Sequence, residues 1–216
     1  MFDMDGTLID TQGLIAEHMA SAFVGAGLAA PTPADVRHII GLSLPVAIGQ
    51  LAQTEDGATI DHLVESYKSS YRISLDRESG REPLFPGARE ALDRLRPAPG
   101  NLLGIATGKG LAGLSRILDL HGLAGHFATL QTPDHSPSKP HPGMLLRAME
   151  ETGAAPHEVV MIGDTVFDIE LARAAGVVSI GVGWGYHDQD DLRRAGADIL
   201  IESFDDLDAA IEQVLE

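Results

Sequence analysis

From Leu84 onward, short apolar runs of strand type alternate with amphipathic helical patterns, and this alternation constrains the fold more than any other feature. The strand candidates are Leu102–Ala106, Phe127–Leu130, Val159–Ile162, Val177–Val182 and Asp198–Ile201. Helical patterns fall near Gly87–Arg96, Leu111–His121, Pro142–Thr152, Phe167–Ala175, Asp188–Ala195 and Phe204–Leu215. Such alternation predicts a parallel sheet with helices on both faces. Ahead of it, Met1–Asp10 reads as a further strand of that sheet, turning sharply into a loop at Gly6. Everything between is helical. Leu14, Ile15, Met19, Ala22 and Phe23 recur at three-to-four spacing, with Gly25 and Gly27 as the stop. Thr32, Pro33 and Asp35 form a helix start that Gly41 ends. Further helices follow over Pro45–Gln53 and Thr59–Asp76. The expected fold is α/β: an open, doubly wound, mostly parallel (Rossmann-like) sheet of residues 1–10 and 84–216, with an inserted helical domain at 11–83. The Pro-rich stretch Thr132–Pro142 reads as a rigid loop beside the sheet.

Composition excludes several functions. The 216 residues contain no cysteine, which removes disulfides, thiolate metal sites and a cysteine nucleophile. A net charge of -17 argues against a nucleic-acid partner and favours cations. A small anionic substrate stays compatible with that charge, because a bound divalent ion and a few local bases reverse the field within one cleft. Neither a leader pattern nor an apolar run of ~18 residues is present, so a cytoplasmic protein without a membrane partner is expected.

Open α/β sheets bind ligands at the carboxyl ends of their strands, where the winding reverses. The residues just past each strand are therefore the candidates. After the first stand Asp3 and Asp5, which a period of two places on one side. Two such acids repel each other unless a cation or a shared proton intervenes, and one can then attack while the other exchanges a proton. After the second come Thr107, Gly108 and Lys109; after the third, the loop holding Lys139; after the fourth, Gly163, Asp164 and Thr165, with Asp168 one turn on. A nucleophile with an acid beside it, a hydroxyl with loop amides, a cation and two more carboxylates are the parts of a phosphoryl-transfer site. Singly, each has an ordinary reading: an acidic turn, helix caps at Thr107 and Asp164, a solvated Lys139. Those readings would all have to coincide at four strand ends.

Asp-Met-Asp-Gly-Thr-Leu-Ile-Asp, the later Thr-Gly-Lys, the segment Lys139–Pro142 and Gly163–Asp168 resemble, in order and spacing, the four motifs of the haloacid dehalogenase superfamily of phosphatases. The resemblance extends through Phe85–Gly87 to Gly183–Tyr186 and is nearest the phosphoglycolate-phosphatase-like branch. It implies Asp3 as the nucleophile that forms an aspartyl phosphate, and Asp5 as the acid and then the base. Thr107 and Lys139 would bind the phosphoryl group, with Gly6 and Gly108 beside them. Mg2+ would be held by Asp3, Asp164 and the Asp5 backbone carbonyl, with Asp168 either reaching the ion through water or orienting Lys139. The implied protein is a Mg2+-dependent phosphatase of a small phosphorylated metabolite, monomeric or homodimeric. Residues 11–83 would be a cap, with Arg37, His38, Lys68 and Arg72 as candidate contacts for a second anionic group.

Phosphoglycolate, sugar phosphates, nucleotides and pyrophosphate stay open as substrates. A sugar-phosphate mutase is disfavoured by Ile15, where that branch carries histidine, and Met4 with Asp5 disfavours the dehalogenase and phosphonatase branches. A receiver-like phospho-aspartate switch puts its phosphorylated Asp on the third strand and has no helical insertion. Gly108–Gly113 fits G-x-G-x-x-G, but the following strand ends at Leu130–Gln131, without the acidic ribose partner of a dinucleotide site. His135 and His141 lack a third ligand and read as solvated loop residues. Only Met1 and Phe2 precede Asp3, so upstream strand residues are expected to be missing from the chain as given, leaving the α-amino group near the nucleophile and the strand short of ladder partners.

Overall fold

A computed structural model describes residues 1–77, 81–96, 98 and 100–215. Residues 78–80, 97, 99 and 216 of the two expected spans lie outside it. The strands are β1 (Gly104–Ala106), β2 (Thr129–Gln131), β3 (Val160–Gly163), β4 (Val178–Val182) and β5 (Ile199–Ile201), each inside or within a residue of its expected run. β1 pairs with β2, and β3 with β4 and then β5, all parallel. Met1–Asp3 joins these groups into one surface. Phe2 bridges Ile105 on one side and Ile162 on the other, both parallel, giving the order β2-β1-(1–3)-β3-β4-β5.

The opening segment differs from the expected strand, since only Phe2 is bridged before the chain turns away. Ladder partners are nevertheless present on both sides: the Phe2 amide donates to Gly104 O (2.8 Å) and the Asp3 amide to Ile162 O (2.9 Å). The Met1 nitrogen is bonded at 2.8 Å to the Val160 carbonyl, on the neighbouring strand.

Alternation along each strand separates two cores. Ile105, Val160 and Ile162 face α5 (Ala88–Leu95), α6 (Leu111–Leu120) and α10 (Leu207–Leu215) through Leu92, Leu114, Ile117 and Leu207. Ala106 and Met161 face the other way, against Met144 and Leu145 of α7 (Gly143–Thr152) and Leu171 and Ala172 of α8 (Val166–Ala175). Two covered faces explain why these strands read as continuous apolar runs. Removing one large apolar side chain from water contributes about 1.5–3 kcal/mol. α9 (Gln189–Ala195) connects β4 to β5.

The remaining helices are α1 (Gln12–Gly25), α2 (Pro33–Ile39), α3 (Leu44–Ala52) and α4 (Gly57–Arg77). They bury a third cluster, including Ile15, Met19, Phe23, Val36, Ile48 and Leu63, to which Tyr186 after β4 contributes. α2 starts as its sequence predicts: Thr32 and Asp35 form a reciprocal capping box with Pro33 in the first turn. The helical stretch leaves and rejoins the sheet at an antiparallel bridge between Ile9 and Leu84, with the Asp10 amide on Pro83 O at 2.9 Å. Among the described residues, no helix is long and apolar enough to cross a membrane.

Candidate active site

Winding reverses where the chain crosses from β2 to β3 past the opening segment, and the polar side chains gather at the carboxyl edge there. Asp3 ends the opening segment and is 1% exposed. Its Oδ1 lies 2.9 Å from Lys139 Nζ in an ion pair without hydrogen-bond alignment, and its Oδ2 has no hydrogen-bond partner. Burial pushes the Asp3 carboxyl up to about 7; Lys139 opposes that rise, and the charges of Asp168 and Asp5 add to it.

Lys139 is fully buried between Asp3 and Asp168, whose Oδ1 it meets at 2.5 Å. Burial works against its charge, yet Asp168 and Asp3 outweigh that and hold it above the ordinary lysine range. Asp168 Oδ2 accepts the Thr165 amide (3.0 Å) and hydroxyl (2.7 Å), a capping box that ties this carboxylate to the first turn of α8. Both oxygens of Asp168 are thus engaged. The N-cap of α8 is Thr165, not Asp164.

Asp164 follows β3 and is fully buried. Thr7 Oγ1 donates to its Oδ1 and the Tyr186 amide to its Oδ2, each at 2.8 Å. Burial and the charges of Asp168 and Asp3 raise its pKa well above the carboxylate range, against the pull of those two donors. Oxygens of Asp3, Asp164 and Asp168 all lie within 4.8 Å of one another. Three buried carboxylates with one ammonium leave uncompensated negative charge, and Asp3 Oδ2 is unpartnered. An oxygen-only donor set of this kind fits a hard divalent cation such as Mg2+ rather than a transition metal.

Asp5 is held from two sides. The Thr11 hydroxyl donates to its Oδ1 at 2.6 Å, and Lys109 Nζ lies 3.2 Å from the same oxygen. Thr107 is buried after β1, and its hydroxyl accepts the Lys109 amide at 3.2 Å. Gly108 has no room for a side chain, since a Cβ there would strike the Leu42 and Gly41 carbonyls. The loop between α2 and α3 therefore lies on the Thr107–Gly108 loop, and the Ser43 amide reaches Ser138 Oγ at 2.8 Å beside Lys139. Gly6 has φ +94 and faces Asp164 where a Cβ would stand. Its amide donates to Ile9 O (2.9 Å) within the turn, and its missing side chain leaves room for Asp164.

The structure gathers Asp3, Asp5, Thr107, Gly108, Lys139, Asp164 and Asp168 at one edge. It leaves other candidates elsewhere. Arg37 bonds the Tyr186 carbonyl and Asp188, Lys68 pairs with Glu65, Arg72 reaches Lys68 O, and His38 is exposed beside the His187 ring. His135 and His141 are exposed, as expected. The G-x-G-x-x-G segment does open α6, but Asp134 Oδ2 takes the Leu111 amide at 2.7 Å, so a carboxylate occupies the place of a dinucleotide phosphate. Thr7, Thr11 and Tyr186 are additions. The Thr7 hydroxyl reaches Asp164, 157 residues away, rather than its own loop.

A parallel sheet with a buried acid cluster and a lysine at its switch point has the parts of a phosphoryl-transfer site. The model of the haloacid dehalogenase-like hydrolase family matches residues 1–182, and the chain belongs to that family. A probable phosphatase, IndB, of Dickeya dadantii is 33% identical over the whole chain and 94% of its own length. A phosphoglycolate phosphatase of Agrobacterium fabrum is 34% identical over the whole chain and 92% of its length. In structure, a hydrolase from Pseudomonas syringae superposes with a TM-score of 0.86 at 27% identity, covering 98% of this chain and 96% of that one. The chain is an enzyme of this family, and its full-length kinship is with phosphatases.

Proposed function

We propose that the protein is a cytoplasmic, Mg2+-dependent hydrolase of small phosphomonoesters, working through an aspartyl phosphate on Asp3. One observation carries this: a buried carboxylate at the switch point with a free Oδ2 and an ammonium 2.9 Å from its Oδ1. In the first half-reaction an Asp3 oxygen bonds to phosphorus, the ester P–O bond breaks, and Asp5 gives its proton to the leaving oxygen. In the second, Asp5 takes a proton from water, the water oxygen bonds to phosphorus, and the P–O bond to Asp3 breaks. Lys139 offsets charge on Asp3 and the phosphoryl oxygens, held in place by Asp168. Thr107 has a hydroxyl proton to offer a phosphoryl oxygen, oriented by the Lys109 amide. Asp3, Asp164 and the Asp5 carbonyl would hold Mg2+, which when bound supplies the charge neutralisation that lets a phosphate dianion approach a carboxylate.

Residues 11–83 act in this proposal as a cap. Support comes from the loop at residues 40–43, which lies against Gly108 of the Thr107–Gly108 loop, and from its Ser43 amide on Ser138 Oγ beside Lys139. Closure excludes water from the phosphoryl group. The relatives' names favour phosphoglycolate within this class, with sugar phosphates and pyrophosphate as competitors. The test is phosphate release from an aryl phosphate and from a panel of these compounds, with and without Mg2+. Turnover that needs Mg2+ and disappears in Asp3→Asn is expected; normal turnover by that variant defeats the mechanism.

A further inference from the structure

We infer that Arg37 is a positioning residue for the metal site, acting through Tyr186, and that docking of α2 and binding of the cation strengthen each other. The inference rests on the Mg2+-dependent reading above. Arg37 stands in the last turn of α2. Its Nε donates to the Tyr186 carbonyl, and its Nη2 lies 3.0 Å from Asp188 Oδ1, so both partners belong to the segment between β4 and α9. The ion pair is open to solvent, with the Asp188 side chain 76% exposed, and contributes little. The bond to the carbonyl is of another kind. Tyr186 is buried, and its amide holds Asp164 Oδ2 at 2.8 Å. One residue therefore takes α2 on its carbonyl and a candidate metal ligand on its amide.

Neighbouring contacts run the same way. The Tyr186 phenol oxygen accepts the Thr11 and Gln12 amides at the start of α1, and the ring packs in the cluster of the helical stretch. Gly185 lies so close to Asp164 that a Cβ there would strike the carboxylate. On the far side, Gly41 follows α2 and faces Thr165 and Phe167, where a Cβ would strike the Thr165 hydroxyl. That hydroxyl donates to Asp168 Oδ2 at 2.7 Å. The end of α2 thus rests on both segments that aim carboxylates into the site.

A carboxylate already held by its donors loses less freedom when a cation binds, and the groups that orient metal ligands change metal affinity by about ten- to a hundredfold. Arg37 acts one bond further out, on the residue that does the orienting. The two states concerned are α2 docked on the Tyr186 segment, as the structure has it, and α2 released from it. If docking strengthens cation binding, the bound cation strengthens docking by the same factor.

Trp184 offers a readout without turnover. It is the single tryptophan of the chain, and its indole donates at 3.0 Å to the carbonyl of Thr7, whose hydroxyl holds Asp164. Mg2+ is titrated in the absence of substrate, followed by Trp184 fluorescence and by calorimetry, in wild type, Arg37→Met, Arg37→Lys and Asp188→Asn. Arg37→Met should raise the Mg2+ dissociation constant by about five- to fiftyfold. Arg37→Lys should raise it less, because an ammonium still donates to a carbonyl, and Asp188→Asn by less than about threefold. In wild type, the α2 amides should exchange hydrogen more slowly with Mg2+ than without. An Arg37→Met titration that superposes on wild type would overturn the inference, as would an equal loss in Asp188→Asn or α2 exchange indifferent to Mg2+. In each of these cases the phosphatase reading stands, since it needs only that wild type binds Mg2+. A wild type that binds none overturns both.

Discussion

Tyr186 and Asp164 are joined directly: the Tyr186 amide donates to Asp164 Oδ2 at 2.8 Å, while its phenol oxygen accepts the amides of Thr11 (2.7 Å) and Gln12 (3.0 Å). One residue thus fixes a candidate metal ligand with its backbone and the start of α1 with its side chain. Its ring also packs in the cluster of the helical stretch.

Tyr186→Phe leaves those two amides without their acceptor, the Thr11 amide in a fully buried position. A loss of about 1–3 kcal/mol in unfolding free energy is expected, read from urea midpoints. No change in the midpoint would show that the amides find other partners.

Thr7 acts on the metal site through Asp164. Thr7→Val removes the donor on Oδ1 while preserving shape, and the Mg2+ concentration for half-maximal turnover should rise by roughly ten- to a hundredfold. An Mg2+ titration that superposes on wild type would remove Thr7 from the site.

His18 of α1 is buried between Ser70 and Ser74, whose hydroxyls lie 2.8 Å from its two ring nitrogens. Ser74 gives its proton to the Tyr71 carbonyl, so Nε2 carries the ring hydrogen and Nδ1 accepts from Ser70. Burial lowers the His18 pKa below the ordinary value of 6.5. Between the lowered pKa and about 6.5 the unfolded chain binds more protons than the folded one, so this contribution is complete above about pH 6.5 and is lost as pH falls. The urea midpoint should fall from pH 7.5 to pH 5.5 by more in wild type than in His18→Gln. Equal falls would contradict it.

Residues that follow an apolar run directly were legible in the sequence. Asp3, Thr107 and Asp164 each stand at a strand's end, where a change from apolar to polar marks the edge, and Lys139 lies in the one Pro-rich loop beside them. The Thr32 cap was legible because its partner is three residues away. The contacts that Thr7, Thr11 and Tyr186 make at the site are not legible, because spacing does not encode them: Thr7 and Asp164 are 157 residues apart. A signal for Tyr186 did exist. Trp184–Tyr186 follows β4 as Asp164 follows β3, and strand ends are where ligands bind. Gly6 was legible as a turn glycine, while its closeness to Asp164, 158 residues on, was not.

In the proposed mechanism Asp3 carries the phosphoryl group between the two half-reactions. Acid quenching during turnover of a radiolabelled phosphomonoester, followed by peptide mapping, tests it directly. Label is expected on the peptide containing Asp3, chased by excess unlabelled substrate and absent from Asp3→Asn. Label on another residue, or an Asp3→Asn protein that turns over normally, would contradict it.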